Sequence, residues 1–269
     1  MAEVSLSYVL ATPAGTLTFN ATSGDRYWLS NVSGMDSTDL RGGGSVLSQR
    51  DGGIAGTRFQ QPLFITFEGQ FVADTVTSRT LLEKNMRTYL RSLHRTDGTL
   101  TYTPTGLPAR QRTVRLAAGP DHSGGYLKSF QFVLEAPDPL AYSTTLTTSA
   151  NITVNGAAVN VTNGGDVATW PTLQLHGAVT NPIIKNNTTG KTLELDYSGL
   201  VVADGTYVEA NTRNETVLLT TGVSKIGALD PLTSEFWQLA VGVNAIEVDG
   251  TSPGANAKGV VVFRDAYSG

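Results

Sequence analysis

The stretch from Phe130 to Tyr142, FQFVLEAPDPLAY, limits the fold of this chain more than any other. Phe130, Phe132 and Leu134 alternate with Gln131, Val133 and Glu135, the period-two pattern of a half-buried strand. Pro137-Asp138-Pro139 then interrupts it. Proline fixes its own φ, has no amide donor and pushes the preceding residue towards extended geometry. A ladder in the middle of a sheet does not run through such a segment. The chain is therefore expected to leave one sheet here and begin a second unit. Two domains follow, 1–136 and 143–269, joined by a linker over 137–142.

Composition agrees with that division. The 269 residues are enough for two domains of ordinary size. With 40% hydrophobic, only 16% charged and 29 glycines, the chain has the balance of a turn-rich β protein. A formal net charge of −4 leaves no basic excess to neutralise phosphates, which argues against a dedicated nucleic-acid binder. The absence of cysteine excludes disulfides, thiolate catalysis and Cys-bound metal sites. Residues 1–20 lack a basic start followed by an apolar run, and no run of 18 apolar residues occurs anywhere. Neither a Sec-type signal nor a membrane-spanning helix is expected, and synthesis in a cytoplasm is.

The first half reads as strands around one helix. Residues 4–10 and 16–20 form short strands, and Tyr27, Leu29 and Val32 fit a third. Gly34 to Thr57 follows, with Gly42-Gly43-Gly44, Gly52-Gly53 and Gly56 among scattered arginines and aspartates. It lacks the flanking strand, helix and Gly-Lys-Ser/Thr of a phosphate loop. A long loop, or an arm that becomes ordered against a neighbouring subunit, fits its glycines and mixed charge. In Leu63–Val72, Leu63, Ile65, Phe67 and Phe71 share a face. A helix is predicted over 78–95, because Leu82, Met86, Tyr89, Leu90 and Leu93 form one apolar stripe. Thr77 or Ser78 would cap it, Glu83 and Arg87 would pair along it, and Asp97-Gly98 would stop it. Thr99–Thr103 and Arg112–Ala117 form a strand pair around a loop over 104–111. The first half is thus an α+β unit.

The second half reads as short strands at regular spacing, the mark of an antiparallel sandwich or barrel. The sharpest hairpin signal is 151–161, where Asn155-Gly156 suits a type I′ turn. Further strands are expected at 172–176, 183–185, 192–196, 200–202, 207–210, 216–220, 235–239, 245–248 and 259–263. Seven Asn-x-Ser/Thr sequons, at Asn20, Asn31, Asn151, Asn160, Asn186, Asn187 and Asn214, reflect Asn- and Thr-rich composition and not glycosylation.

Chemistry is sparse. His94, His122 and His176 are far apart and show no metal-binding spacing, so they read as structural or surface residues and no metal or cofactor is expected. No Gly-x-Ser-x-Gly elbow occurs. No catalytic residue is assigned, and the chain is not expected to be an enzyme. Trp170, Trp237, Tyr197 and Tyr207 would stack on sugar rings if they stood on a sandwich surface. Aromatics in such places more often pack a core.

Taken in order, several segments resemble the distal tail proteins of long-tailed, non-contractile bacteriophages. They are WLSNVSGMD, RDGGIAGTRF, PLFITFEGQFVAD, the helix LLEKNMRTYLRSL, DGTLTY and FQFVLEAPDPLAY. In the second half NVTNGGDVATWPTLQLHG, NPIIKNNTTGKTLELD and FWQLAVGVNAIEVDG follow. The most specific piece is Asp138-Pro139-x-x-Tyr142. The resemblance implies an N-terminal belt domain, a β-sandwich with one helix, that closes into a hexameric ring. It also implies a C-terminal galectin-like β-sandwich, which would be a docking scaffold first and a receptor binder second. The ring would stand at the tip of the virion tail, joining tail tube to tail-tip or baseplate proteins, and DNA would pass through it without specific binding. A closed ring uses heterologous contacts. Arg41, Arg50, Asp51, Arg58, Arg110 and Arg112, in or beside the two long loops, are the expected contact residues. The alternative reading is a carbohydrate-binding sandwich protein of the tail tip that meets a cell-surface glycan through Trp170, Trp237 and Tyr207. A tail-tip hydrolase would need a carboxylate or histidine cluster created by the fold.

Overall fold

The structure, a computed structural model, describes residues 7–35, 39–43, 45–46, 51, 53–54, 59–123, 128–196 and 200–268. It divides into two compact units, 1–144 with 268–269, and 145–267. The fold is mainly β with one α-helix among the described residues.

In the first unit, strands lie side by side in the order Ser129–Ala136, Leu63–Val72, Arg26–Ser33, Gly15–Phe19, Tyr8–Thr12, Gly98–Tyr102 and Arg110–Ser123. Arg110–Ser123 pairs back onto Ser129–Ala136, so the circuit closes on itself. Alternation decides what lies inside it. Ile65 and Phe67 are fully buried, while Phe64, on the alternate face of the same strand, is 55% exposed. Phe67 and Phe132 are direct register partners, and their rings stack with centroids 5.0 Å apart. The Arg26–Ser33 strand carries a bulge, since Leu29 pairs with Gly69 but Asn31 pairs with Glu68. Ser30 is the extra residue, which explains why Tyr27, Leu29 and Val32 turn inward in place of a strict alternation. Gly69 makes the close approach feasible: a Cβ there would lie 2.2 Å from the Trp28 carbonyl oxygen.

The helix spans Val76–Ser92 and starts two residues earlier than its sequence suggests. Thr75, not Thr77 or Ser78, caps it, accepting from the Ser78 amide at 3.1 Å. Met86, Leu90 and Leu93 are fully buried. The Tyr27 hydroxyl donates to the Leu82 carbonyl at 3.0 Å, and burial, then Tyr89, raises the Tyr27 pKa. Glu83 does not serve an along-helix pair with Arg87; it binds Lys128 Nζ at 2.9 Å.

The Pro137–Pro139 segment interrupts the strand without ending the sheet. Ser129–Ala136 pairs with Arg115 to Ser123, and after the prolines Ala141–Ser143 returns to pair with Arg110 and Gln111 of that same long strand. The detour is held by Asp138, whose carboxylate accepts from the Leu140 amide at 3.1 Å and the Tyr142 hydroxyl at 2.7 Å. Arg112, only 1% exposed, donates to the Pro139 carbonyl and, at 3.2 Å, to the Met35 carbonyl.

The second unit is a sandwich of two antiparallel sheets. One holds Thr147–Thr148, Lys258–Phe263, Thr172–His176, Tyr207–Asn211 and Thr216–Leu219, with Ile152–Thr153 also on Lys258–Phe263. The other holds Val159–Asn163, Gly242–Thr251, Val179–Asn186 and Lys191–Glu194, with Val201–Val202 on Val179–Asn186. Leu173, Leu175, Val208 and Val261 from the first meet Val161, Ile184, Leu193, Ile246 and Val248 from the second in one core.

Two expectations fail here. Residues 151–161 do not form a hairpin, because Ile152–Thr153 and Val159–Asn163 belong to different sheets. Asn155 does take positive φ (57°), yet its side chain is used across the unit, where Nδ2 donates to Gly250 O at 2.8 Å. The turn carries the chain from one sheet to the other. Residues 235–239 form no strand; Leu239 makes one isolated bridge, to Thr169. The asparagines are structural. Asn186, fully buried, donates to Asn244 at 3.2 Å, and Asn244 in turn braces Ala240 at 2.9 Å.

Candidate functional site

In the first unit the described residues of the Gly34–Thr57 region and its flank include two short antiparallel pairings. Leu40–Arg41 pairs with Phe59–Gln60, and Ser45–Val46 pairs with Gly53–Ile54. These rungs make a two-stranded arm. Leu40 is 54% and Phe59 58% exposed. Leu40 sits opposite Gln60 and Arg41 opposite Phe59, so the two apolar side chains stand on opposite faces. A lone two-stranded ribbon is marginal in water. Arg41 and Asp51 are exposed along it. Arg50 and Arg58 lie outside the described residues.

Arg110 and Arg112, expected among the subunit-contact residues, are buried within the chain itself. They are 6% and 1% exposed, and Arg112 spends its guanidinium on two carbonyls of its own chain. It ties the arm's root at Met35 to the corner at Pro139. Nothing in the sequence signals this role, because the three segments are far apart along the chain. Arg115 beside them is exposed and pairs with Asp97. The cation cluster on the surface lies elsewhere. Arg87, Arg91 and His94 stand on the helix side and, with Thr88, Gly119 and Pro120, line a cleft of about 550 Å³. His122 is half-buried, with its ring 5.4 Å from Phe71. Burial, then Arg87, holds its pKa below the usual imidazole value.

In the second unit the proposed stacking aromatics divide. Trp237 is 1% exposed inside the core, so it presents no surface to a sugar. Its indole Nε1 has no hydrogen-bond partner among the described residues. Trp170 is half-buried and precedes the Thr172–His176 strand. Tyr207 is half-buried, with its ring 5.2 Å from His176. His176 borders a cleft of about 470 Å³ that also takes in Asn151, Asp204, Thr206, Asn256 and Lys258. Burial, then Lys258, lowers the His176 pKa. Tyr197 lies outside the described residues.

Among the described residues, three ligating groups converge only at Glu194, Asp196 and Asp230, whose carboxylate oxygens lie within 4.8 Å of one another. Hydrogen bonds already serve two of them: Thr233 Oγ1 donates to Glu194 at 2.9 Å and the Leu232 amide to Asp230 at 2.8 Å. The three histidines do not join this group. No helix of the described residues is long and apolar enough to cross a membrane.

Comparison with known proteins places this architecture. Residues 164–267 match a family described as the siphovirus-type tail component, C-terminal domain. No curated protein sequence matches the chain. Among solved structures, the chain is similar to the Dit protein of phage SPP1, described as a paradigm of the hub adsorption apparatus in phages that infect Gram-positive hosts. That match has a TM-score of 0.69 at 20% identity and covers 96% of this chain and 98% of the other. It is also similar to a chain of the phage p2 baseplate in its activated conformation with strontium, with a TM-score of 0.53 at 12% identity over 96% of this chain and 97% of the other. The same baseplate with calcium gives 0.51 at 12% identity and the same coverage. Residues 164–267 thus match the siphovirus-type tail component C-terminal domain family, and through both units the chain has a fold like that of SPP1 Dit.

Proposed function

We propose that this protein is the distal tail hub of a siphophage, a structural component of the virion tail tip. Six copies close a ring through their first units, and the ring joins the tail tube to the tail-tip or baseplate proteins and leaves a channel for DNA. The observation that carries this reading is the likeness to SPP1 Dit over 96% of the chain, both units included. The arm supports it independently. Its short rungs and its exposed Leu40 and Phe59 suit an element that a neighbour would complete. Its role is scaffolding and not catalysis, and the net charge of −4 suits a channel that lets DNA slide without tight phosphate contacts.

Light scattering and negative-stain imaging of the same purified sample test the proposal. Six copies of the 28.4 kDa chain make particles of about 170 kDa, and these should show a central hole. A monomer both alone and when mixed with purified tail tubes would refute it. Deleting residues 42–53 should abolish the ring; rings that persist would remove the arm from the interface.

A further inference from the structure

We propose that the cleft at the C-terminal end of the Thr172–His176 strand binds a neutral saccharide. Three neighbouring strands build it. Register puts Tyr207 opposite His176, and His176 opposite Lys258, in a single row. Leu173 and Leu175 face the core, so Gln174 and His176 face outward by alternation. The row therefore stands on the outer face of the sheet, where the cleft of about 470 Å³ opens beside it. That volume falls among ligand pockets, which span about 300–1,000 Å³.

The lining selects the ligand class. Asn151 and Asn256 offer both donors and acceptors, Lys258 only donors and Asp204 only acceptors. Sugar hydroxyls donate and accept, and they match such a mixed set. The charges of Lys258 and Asp204 cancel, and His176 is kept neutral by burial and by Lys258, so an anion gains no net attraction. The His176 ring borders the cleft, with the Tyr207 ring tilted against it at 5.2 Å, and offers a ring face to the C–H groups of a pyranose.

The walls are set before any ligand arrives. Asn256 Nδ2 donates to Asp204 at 3.2 Å, the Gly177 amide to Thr206 O at 3.1 Å, and the Gly254 amide to Ala178 O at 2.8 Å. Little ordering is then left for binding to impose. Trp170 has no part in this site. It lies six residues before His176, about 20 Å away at the rise of a strand. A single copy of the chain holds the whole cleft, with or without ring closure.

Saturation-transfer NMR on the full chain tests it, with lactose, N-acetylglucosamine and glycerol 3-phosphate as probes. Transfer to one or both sugars is expected. Ala255→Trp fills the cleft from an exposed position, and Asn256→Ala removes a polar contact; each should weaken sugar binding by about tenfold or more with thermal unfolding unchanged. Should Ala255→Trp fold poorly, Asn256→Ala decides alone. No transfer to either sugar, transfer to glycerol 3-phosphate only, or transfer that survives in the folded variants would each overturn the assignment.

Discussion

Replacing Trp237 by alanine separates a core residue from a sugar-stacking one. Fully burying a large aromatic removes up to about 250 Å² from water, worth about 6 kcal/mol at 25 cal/mol per Å². Allowing for a partly compact unfolded chain lowers this to roughly 4–5 kcal/mol. Large-to-small aromatic substitutions in cores span about 3–5 kcal/mol. The buried indole Nε1 works in the opposite direction. It finds no partner among the described residues, and an unpaired buried donor costs about 1–3 kcal/mol. Trp237→Ala should therefore destabilise the second unit by about 3–4 kcal/mol. Trp237→Phe keeps an aromatic filling and removes the orphan donor, so it should lose less than about 2 kcal/mol. For a unit of this size roughly 4 °C accompanies each kcal/mol, which places the alanine variant's transition about 12–16 °C lower. Calorimetry on the full chain, with the two units' transitions followed separately, gives both values. A loss below about 1 kcal/mol in Trp237→Ala, or a larger loss in Trp237→Phe than in Trp237→Ala, would refute this reasoning.

Arg112→Met should lower the urea midpoint of the first unit by the equivalent of about 2–4 kcal/mol. Two charge-assisted bonds to the Pro139 and Met35 carbonyls are lost, and relief of a buried charge offsets part of the loss. An unchanged midpoint would show the clamp to be idle. Thr75→Ala should remove about 1 kcal/mol through loss of the helix cap, measured in the same way. His122 and His176 both titrate below the usual imidazole range when folded. The unfolded chain therefore takes up their protons first as pH falls, and the stability these groups contribute above about pH 6.5 is lost on acidification through the lowered values. The drop in melting temperature from pH 7.5 to pH 5.5 should be shallower in His122→Gln for the first unit and in His176→Gln for the second; equal slopes would contradict the shifts. Gly177→Ala should prevent the second unit from folding normally, because a Cβ there would meet the Ala203 carbonyl oxygen at 2.2 Å; an unchanged melting curve would count against that packing.

Much of the fold was legible where the pattern is local. The apolar stripe from Leu82 to Leu93 is written in a single segment, and the structure buries Met86, Leu90 and Leu93 as the period requires. Thr172–His176 is a strand over the same residues that alternation marks. Pairing was not local. Asn155-Gly156 announces a sharp turn, and a turn is there, yet which strands it joins depends on partners near Gly259 and Ile246. The two prolines announce an interruption, and one occurs. The return of Ala141–Ser143 to the same long strand depends on Arg112, Asp138 and Tyr142 holding the detour. Trp237 lies in a stretch that alternates like a strand, but tertiary burial placed it in the core without a ladder.

The functional surfaces show the same division more sharply. The glycines and mixed charges of 34–57 mark a loop or arm in the sequence, and the strand pairings among its described residues are set by partners that no local pattern announces. Arginine content misleads at Arg110 and Arg112, because sequence gives the charge but not the carbonyls waiting to receive it. The saccharide cleft draws Asn151, His176, Asp204, Asn256 and Lys258 from four places along 108 residues. No spacing rule connects them. Only the register of the Tyr207–His176–Lys258 row does, and register is a property of the sheet. Two units thus separate two demands. Under the proposed hub role the first would offer surfaces that meet copies of itself, and Leu40 and Phe59 stand exposed there. The second can vary loops such as Asp204–Thr206 and Ala255–Lys258 around an unchanged core, the arrangement suited to altering what a tail tip touches.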